Sequence, residues 1–296
     1  MQVFFQQVVN GLGQGVLIGL FAIGFGLVFS KLGILNVAHG TFATWGALIA
    51  FYAATGLGVP LWLAVAVGVV GAGLVGVLVD VLCFQPLRGR GSQMMIGTLI
   101  TSIGVWIVSL SLAQELVGVH GNGYPATLLP EWSVSVFGVL ILASTFINVC
   151  VAVVVVVAIW VLLNRTGFGA AVRAIGHDAR SVAVVGVNPR LTIIGTAFLA
   201  AGVAGLAGGL AGITSNDISF NVGETLLLAG FAAVVLGGVG SIGGAMLGGI
   251  TIGVVQVLSA QYVSSAFRDA ITFGVLLAVL IIRPQGLFNQ LEANRA

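Results

Sequence analysis

The chain has 296 residues, 59% of them hydrophobic and 6% charged, with a formal net charge of +2. Soluble chains carry roughly a quarter charged residues and about half apolar ones, so a soluble globular fold is excluded and the chain reads as an integral membrane protein. Its apolar stretches approach the roughly 20 residues of a spanning helix, which predicts an all-α bundle, in one domain over 1–296, rather than a barrel.

The N-terminus, MQVFFQQVVNGLGQG, lacks a basic stretch and a small-residue cleavage site and reads as mature chain. A first span is expected over 11–29, followed by a break at 30–36 that holds Lys31, the only lysine. Spans follow at 37–55 and 61–84, the second ending in the basic loop QPLRGRGSQ with Arg88 and Arg90. A span at 95–113 leads into 114–133, which contains Glu115 and Glu131 and no Lys or Arg. The apolar run 134–163 is longer than a span needs, so its start should lie in the interface or the helix should tilt.

The longest hydrophilic interruption comes next, at 164–190, with Arg165, Arg173, Arg180 and Arg190. Short loops on the cytoplasmic side concentrate Lys and Arg, so this loop belongs inside. Asp178 is a suitable N-cap for a short helix through Val185, and Gly186 can stop that helix in a left-handed conformation. Asn188-Pro189 is an N-cap with Pro at the first helical position, opening a span at 191–212. The acidic stretch 213–224 then falls outside. Two short apolar runs, 226–236 and 245–258, flank GGVGSIGG, with Gly237, Gly238, Gly240, Gly243 and Gly244 as candidate breaking glycines in a discontinuous or re-entrant segment. A last span at 270–282 ends at RPQGLFN. Alternation yields about eight or nine membrane segments, with the N-terminus outside and the C-terminus inside.

The 45 glycines include Gly11, Gly15 and Gly19 four apart, and likewise Gly240, Gly244 and Gly248, with pairs at Gly205/Gly209 and Gly249/Gly253. Small residues at this spacing let helix backbones approach, so several close crossings are expected. GGVGSIGG lacks the Lys of a phosphate-binding loop, because Gly244 stands in its place. It also lacks the first glycine of a nucleophile elbow, which is Val239. Cys83 and Cys150 sit singly in apolar spans; no disulfide, metal site, cofactor or nucleic-acid partner is expected. Charges are nearly absent from span interiors, so a proton-coupled mechanism with a midplane carboxylate is disfavoured, and energy must come from a partner. The polar residues of the spans, Asn36, His39, Thr41, Thr101, Asn148 and Gln256, are candidates for a pathway that suits a small polar or zwitterionic solute. Each taken singly is better explained by an interhelical hydrogen bond, and it is as a group that they suit a pathway.

Four stretches carry a family resemblance over nearly the whole chain. ILNVAHGTFATWGA resembles the motif after the first helix of branched-chain amino acid ABC transporter permeases, usually INFAHGE. The loop RTGFGAAVRAIGHDARSVAVVGVN is similar to their cytoplasmic loop through Gly169, Arg173, Asp178, Ala183, Gly186 and Asn188. VVLGGVGSIGGAMLGG resembles VLGGxGSIPGAxxGG, and RPQGLF resembles the family tail. The resemblance implies an ABC importer permease of the inner membrane with no covalent chemistry of its own. It would be paired with a second permease or with itself, two ATPase subunits that contact the loop at Gly169, Arg173, Asp178, Arg180, Gly186 and Asn188, and a periplasmic binding protein. Thr41 replaces the usual Glu, Gly243 the usual Pro, and Gln256 a frequent Glu. Urea and short-amide permeases of the same family therefore stay open as the alternative. An ATPase-independent transporter or channel is the alternative from another class.

Overall fold

The computed structural model describes residues 1–32, 36–88, 94–136, 138–176, 186–283 and 286. Helix α1 (Gln2–Leu32) is followed by α2 (His39–Gly56) and α3 (Leu61–Val79), which continues through a π-helical turn at Asp80–Phe84. Then come α4 (Met94–Val117), α5 (Ala143–Arg165) and the short α6 (Gly167–Ile175). The chain closes with α7 (Pro189–Ser215), α8 (Val222–Gly237), α9 (Ile242–Tyr262) and α10 (Arg268–Ile282). Seven of these segments, those of α1, α3, α4, α5, α7, α9 and α10, are long and apolar enough to cross a membrane. Helices α2, with its polar start at His39 and Thr41, and α8, of 16 residues, are packed among them.

The interior is built around α1 and α7, whose most apolar windows are 83% and 67% buried, against 22% for α4 and 17% for α5. Helices α4 and α5 thus present apolar faces outward, as lipid-facing helices do, with Ile100, Ile107, Val154 and Val157 exposed.

Glycine decides which helices touch. Lipid is as apolar as a leucine face, so close packing must come from backbones that can approach. The Gly11–Gly15–Gly19 stripe of α1 lies on α9: a Cβ on Gly11 would stand 2.7 Å from the Cα of Val254, and one on Gly15 2.6 Å from that of Ile250. Gly249 and Gly253 of α9 fit back against Gly19 and Gly15. The expected close crossings are present, but the Gly205/Gly209 pair divides. Gly205 is wedged between α2 and α3 at Gly46 and Ala72, whereas nothing lies within 4 Å of a Cβ on Gly209.

Two stretches differ from their sequence reading. The start of the apolar run 134–163 is no helix: Ser133–Val136 pairs antiparallel with Val139–Leu142, Val134 opposite Ile141 and Val136 opposite Val139. Its alternating, β-branched SVSV and VLIL favour strands, and Gly138 takes a φ of 80° in the turn. Gln6 of α1 completes the hairpin edge, since its amide bonds both backbone groups of Leu140 at 2.8 and 2.7 Å. The two short runs around GGVGSIGG are the cores of longer helices, α8 and α9 of 16 and 21 residues. They fold back antiparallel, with Gly237 against Gly244 and Gly248 against the Ala233 carbonyl. The turn between them requires φ of 95° at Gly238 and 93° at Gly240, conformations with little steric cost only for glycine.

Candidate functional site

The basic loop opens with a helix that the sequence reading missed. Thr166 Oγ1 accepts from the Gly169 N–H at 3.2 Å and caps α6. A threonine directly before the amphipathic GFGAAVRAI was the available signal. Gly169 lies against the carbonyls of Leu162 and Leu163, where no side chain fits. Val172 and Ile175 turn inward, and the exposed Arg173 donates to the Leu163 carbonyl at the end of α5, satisfying an acceptor that a helix end leaves free. The second half of the loop is described from Gly186, which has the expected positive φ, 85°. Asn188 Oδ1 accepts from the N–H groups of Arg190 and Leu191 at 3.0 and 3.3 Å, and Pro189 is the first residue of α7. The expected cap Asp178, Arg180 and the helix through Val185 lie outside the described residues.

At this end of the bundle α1, α5, α6, α8 and α9 enclose an open cavity of about 390 Å³. Its polar lining comes from Ser30, Asn164, Arg173 and Ser241. Gly240 and Gly243 also line it, and a Cβ on Gly243 would meet nothing within 4 Å. Trp160 stands at its edge, with the guanidinium of Arg165 5.8 Å from the indole centroid. Arg88 lies at the same end, paired with the buried Asp80, as do Arg190 and Arg283 at the termini of α7 and α10. Ser30 carried no motif, and only the tertiary structure makes it a neighbour of the loop.

The pathway candidates fall into separate contacts. His39 is fully buried with its ring edge-on to Phe21, Phe25 and Phe42, and neither ring nitrogen has a hydrogen-bond partner. Asn36 is buried with its Oδ1 unpartnered, and the Val37 N–H beside it donates to Ser102 of α4 at 3.1 Å. Thr41 donates to the Ala38 carbonyl at 2.7 Å and shares a narrow crevice with Thr44, Ser109 and Glu224. Thr101 is half-buried on α4. Asn148 donates to Thr214 of α7 at 2.9 Å. Gln256 Oε1 accepts from Gln14 of α1 at 3.0 Å and from Arg268 of α10 at 3.1 Å. These bonds tie helices together in pairs and triplets and do not link one group to the next.

At the opposite end the two acidic loops form one surface. Asn122 and Ile218 exchange backbone hydrogen bonds of 3.0 and 2.7 Å. The Tyr124 N–H donates to Asn216 Oδ1 at 2.7 Å, with Asn216 itself in the left-handed region at φ 48°. Tyr124 packs edge-on to Phe51, its hydroxyl buried without a partner, and burial pushes its ionisation up to about 12.

Residues 7–280 match the family model described as branched-chain amino acid transport system / permease component. The chain is 32% identical to the high-affinity branched-chain amino acid transport system permease protein BraD of Pseudomonas aeruginosa, over 99% of this chain and 98% of that one. It is 30% identical to LivH of Escherichia coli K12, of the same description, over 99% and 97%. The galactofuranose transporter permease protein YtfT of Escherichia coli K12 is 28% identical over 96% and 82%. In fold the chain is similar to one in the structure of PsaBC from Streptococcus pneumoniae in complex with Fab. That similarity has a TM-score of 0.52 at 13% identity and covers 93% of this chain and 91% of that one.

Proposed function

The chain belongs to the permease component family of branched-chain amino acid transport systems, and from that premise we propose that it is the membrane-spanning subunit of an ATP-driven importer of branched-chain amino acids. The observation that carries the reading is the similarity to BraD and LivH over nearly the full length of all three chains. As a single permease domain it contributes half of a central pathway, beside a second, similar permease or a second copy of itself. In this reading nine segments cross, the seven long apolar ones together with α2 and α8, with α8 and α9 both spanning. An odd count puts the two termini on opposite sides of the membrane. The positive-inside rule favours the arginine-bearing end with α6 in the cytoplasm, hence the N-terminus outside and the C-terminus inside, and there the loop at Gly169, Arg173, Asp178, Arg180, Gly186 and Asn188 receives the stroke of two ATPase subunits. The joined acidic loops at 114–133 and 213–224 meet the loaded binding protein on the other side.

The test is uptake of labelled leucine, urea and acetamide by proteoliposomes carrying the complete transporter, with ATP sealed inside and binding protein outside. ATP-dependent accumulation of leucine alone supports the reading. Accumulation of urea or acetamide in its place, or leucine uptake by the purified chain without ATPase, overturns it.

A further inference from the structure

The cavity between α1, α5, α6, α8 and α9 has two chemically distinct parts. Ile23, Leu27, Val172, Val234 and Ile242 form an aliphatic wall. In the same lining, Arg173 has committed one N–H to the Leu163 carbonyl and pairs with no carboxylate among the described residues. Asn164 donates from Nδ2 to the Trp160 carbonyl at 2.9 Å, which leaves its Oδ1 as an acceptor, and Ser30 lines the same cavity with its hydroxyl. The volume, about 390 Å³, lies in the range of small-molecule sites, about 300–1,000 Å³. Among the described residues no atom lies within 4 Å of where a Cβ on Gly243 would be, so a larger residue there would take up part of this space. The related sequence pattern carries proline there.

We propose that this cavity is a binding site for an aliphatic amino acid on the cytoplasmic side of the membrane. The carboxylate is held by the free N–H groups of Arg173, the ammonium group by Asn164 Oδ1 and the Ser30 hydroxyl, and the branched side chain by the aliphatic wall. A guanidinium recognises a carboxylate through parallel N–H donors, and branched methyl groups fit a wall of Ile, Leu and Val with no polar atom left unpaired. Solute leaving the pathway thus has a defined resting place against α6, the element proposed to face the ATPase.

The inference rests on the amino-acid reading above, and one set of measurements separates the two. The assembled transporter, in lipid nanodiscs and without its binding protein, is titrated with radiolabelled leucine in a scintillation proximity assay. Saturable binding is expected. It should weaken about tenfold or more in Arg173→Gln, as for loss of a charge-assisted hydrogen bond. It should also weaken in Gly243→Pro, which fills the space while occupying a first-turn position that tolerates proline. 4-Methylpentanoate should compete, and isopentylamine, which lacks the carboxylate, should not. Absence of saturable leucine binding in a transporter that accumulates leucine from its binding protein would overturn this site and leave the importer reading standing. Binding unchanged in both variants would also overturn it. Failure of the complete transporter to accumulate leucine at all would instead sink the reading on which the site rests.

Discussion

Gly46 of α2 and Gly205 of α7 meet backbone to backbone, so that a methyl group on Gly46 would stand 2.5 Å from the Gly205 carbonyl oxygen. The Cβ of Gly68 of α3 would likewise stand 2.5 Å from the Gly46 carbonyl, which makes this a three-helix crossing with no slack. Gly46→Ala should lower stability by about 1–3 kcal/mol or more, the usual cost of overpacking. Gly104→Ala, on α4 with nothing within 4 Å of its Cβ, should be neutral or gain up to about 1 kcal/mol of helix propensity. Thermal unfolding of the purified variants compares the two, and equal melting temperatures would refute the crossing.

The ion pair of Asp80 and Arg88 is buried, its side chains 4% and 19% exposed. Removing one partner strands the other in a poorly solvated site, at a cost of about 3–5 kcal/mol. Arg88→Gln should therefore destabilise strongly, and adding Asp80→Asn should recover much of the loss. Additive losses in the double variant would show that the two side chains do not stabilise each other.

Tyr124 should titrate near pH 12 instead of near 10, because burial disfavours its phenolate. Its folded value is raised above the unfolded one, so its contribution is intact below pH 10 and is lost as pH rises from 10 toward 12. Tyr124→Phe should flatten the alkaline fall in stability over that window. At neutral pH it should stabilise by about 1 kcal/mol, since it removes a buried hydroxyl with no partner. Ultraviolet absorbance against pH reads the ionisation directly. A difference spectrum already complete at pH 10.5 would contradict this.

At Gly186, φ is 85°, and a β-branched residue there should add strain of roughly 1 kcal/mol or more. No atom of the described residues crowds its Cβ position, so the expected effect is conformational. Gly186→Val should reach the membrane at normal levels but show lower substrate-stimulated ATP hydrolysis, while Gly186→Asn, which tolerates the left-handed region, retains more. Equal activity of the two variants would mean that the loop does not depend on this backbone conformation.

In a background lacking Cys83 and Cys150, Val119→Cys, in the exposed acidic loop, should react with a membrane-impermeant maleimide only from outside. Arg165→Cys should react only after the cytoplasmic face is opened. The reverse pattern would invert the proposed orientation.

Much of this was legible because it is local. Charge depletion alone identifies a membrane protein, and the positive φ at Gly186 and the cap at Asn188 are backbone requirements carried by one or two residues. The α1 and α9 glycine spacings likewise announced close crossings. What they could not tell was the partner: Gly205 and Gly209 look alike in sequence, yet one is wedged into a crossing and the other is free. Facing helices in lipid leave no amphipathic stripe, because a lipid-facing and a helix-facing side chain are both apolar.

The 133–142 hairpin escaped for a related reason, since an apolar run suits a strand as well as a helix until Gly138 and the amide of Gln6 decide it. Composition, loop charge and local backbone chemistry therefore determined the class of the protein, while four sequence motifs carried its family resemblance. The gathering of Ser30, Asn164, Arg173 and Gly243 around one cavity was decided only by tertiary packing, which brings together four segments more than 200 residues apart at their extremes. It depends on glycine contacts between backbones, and no single segment records those.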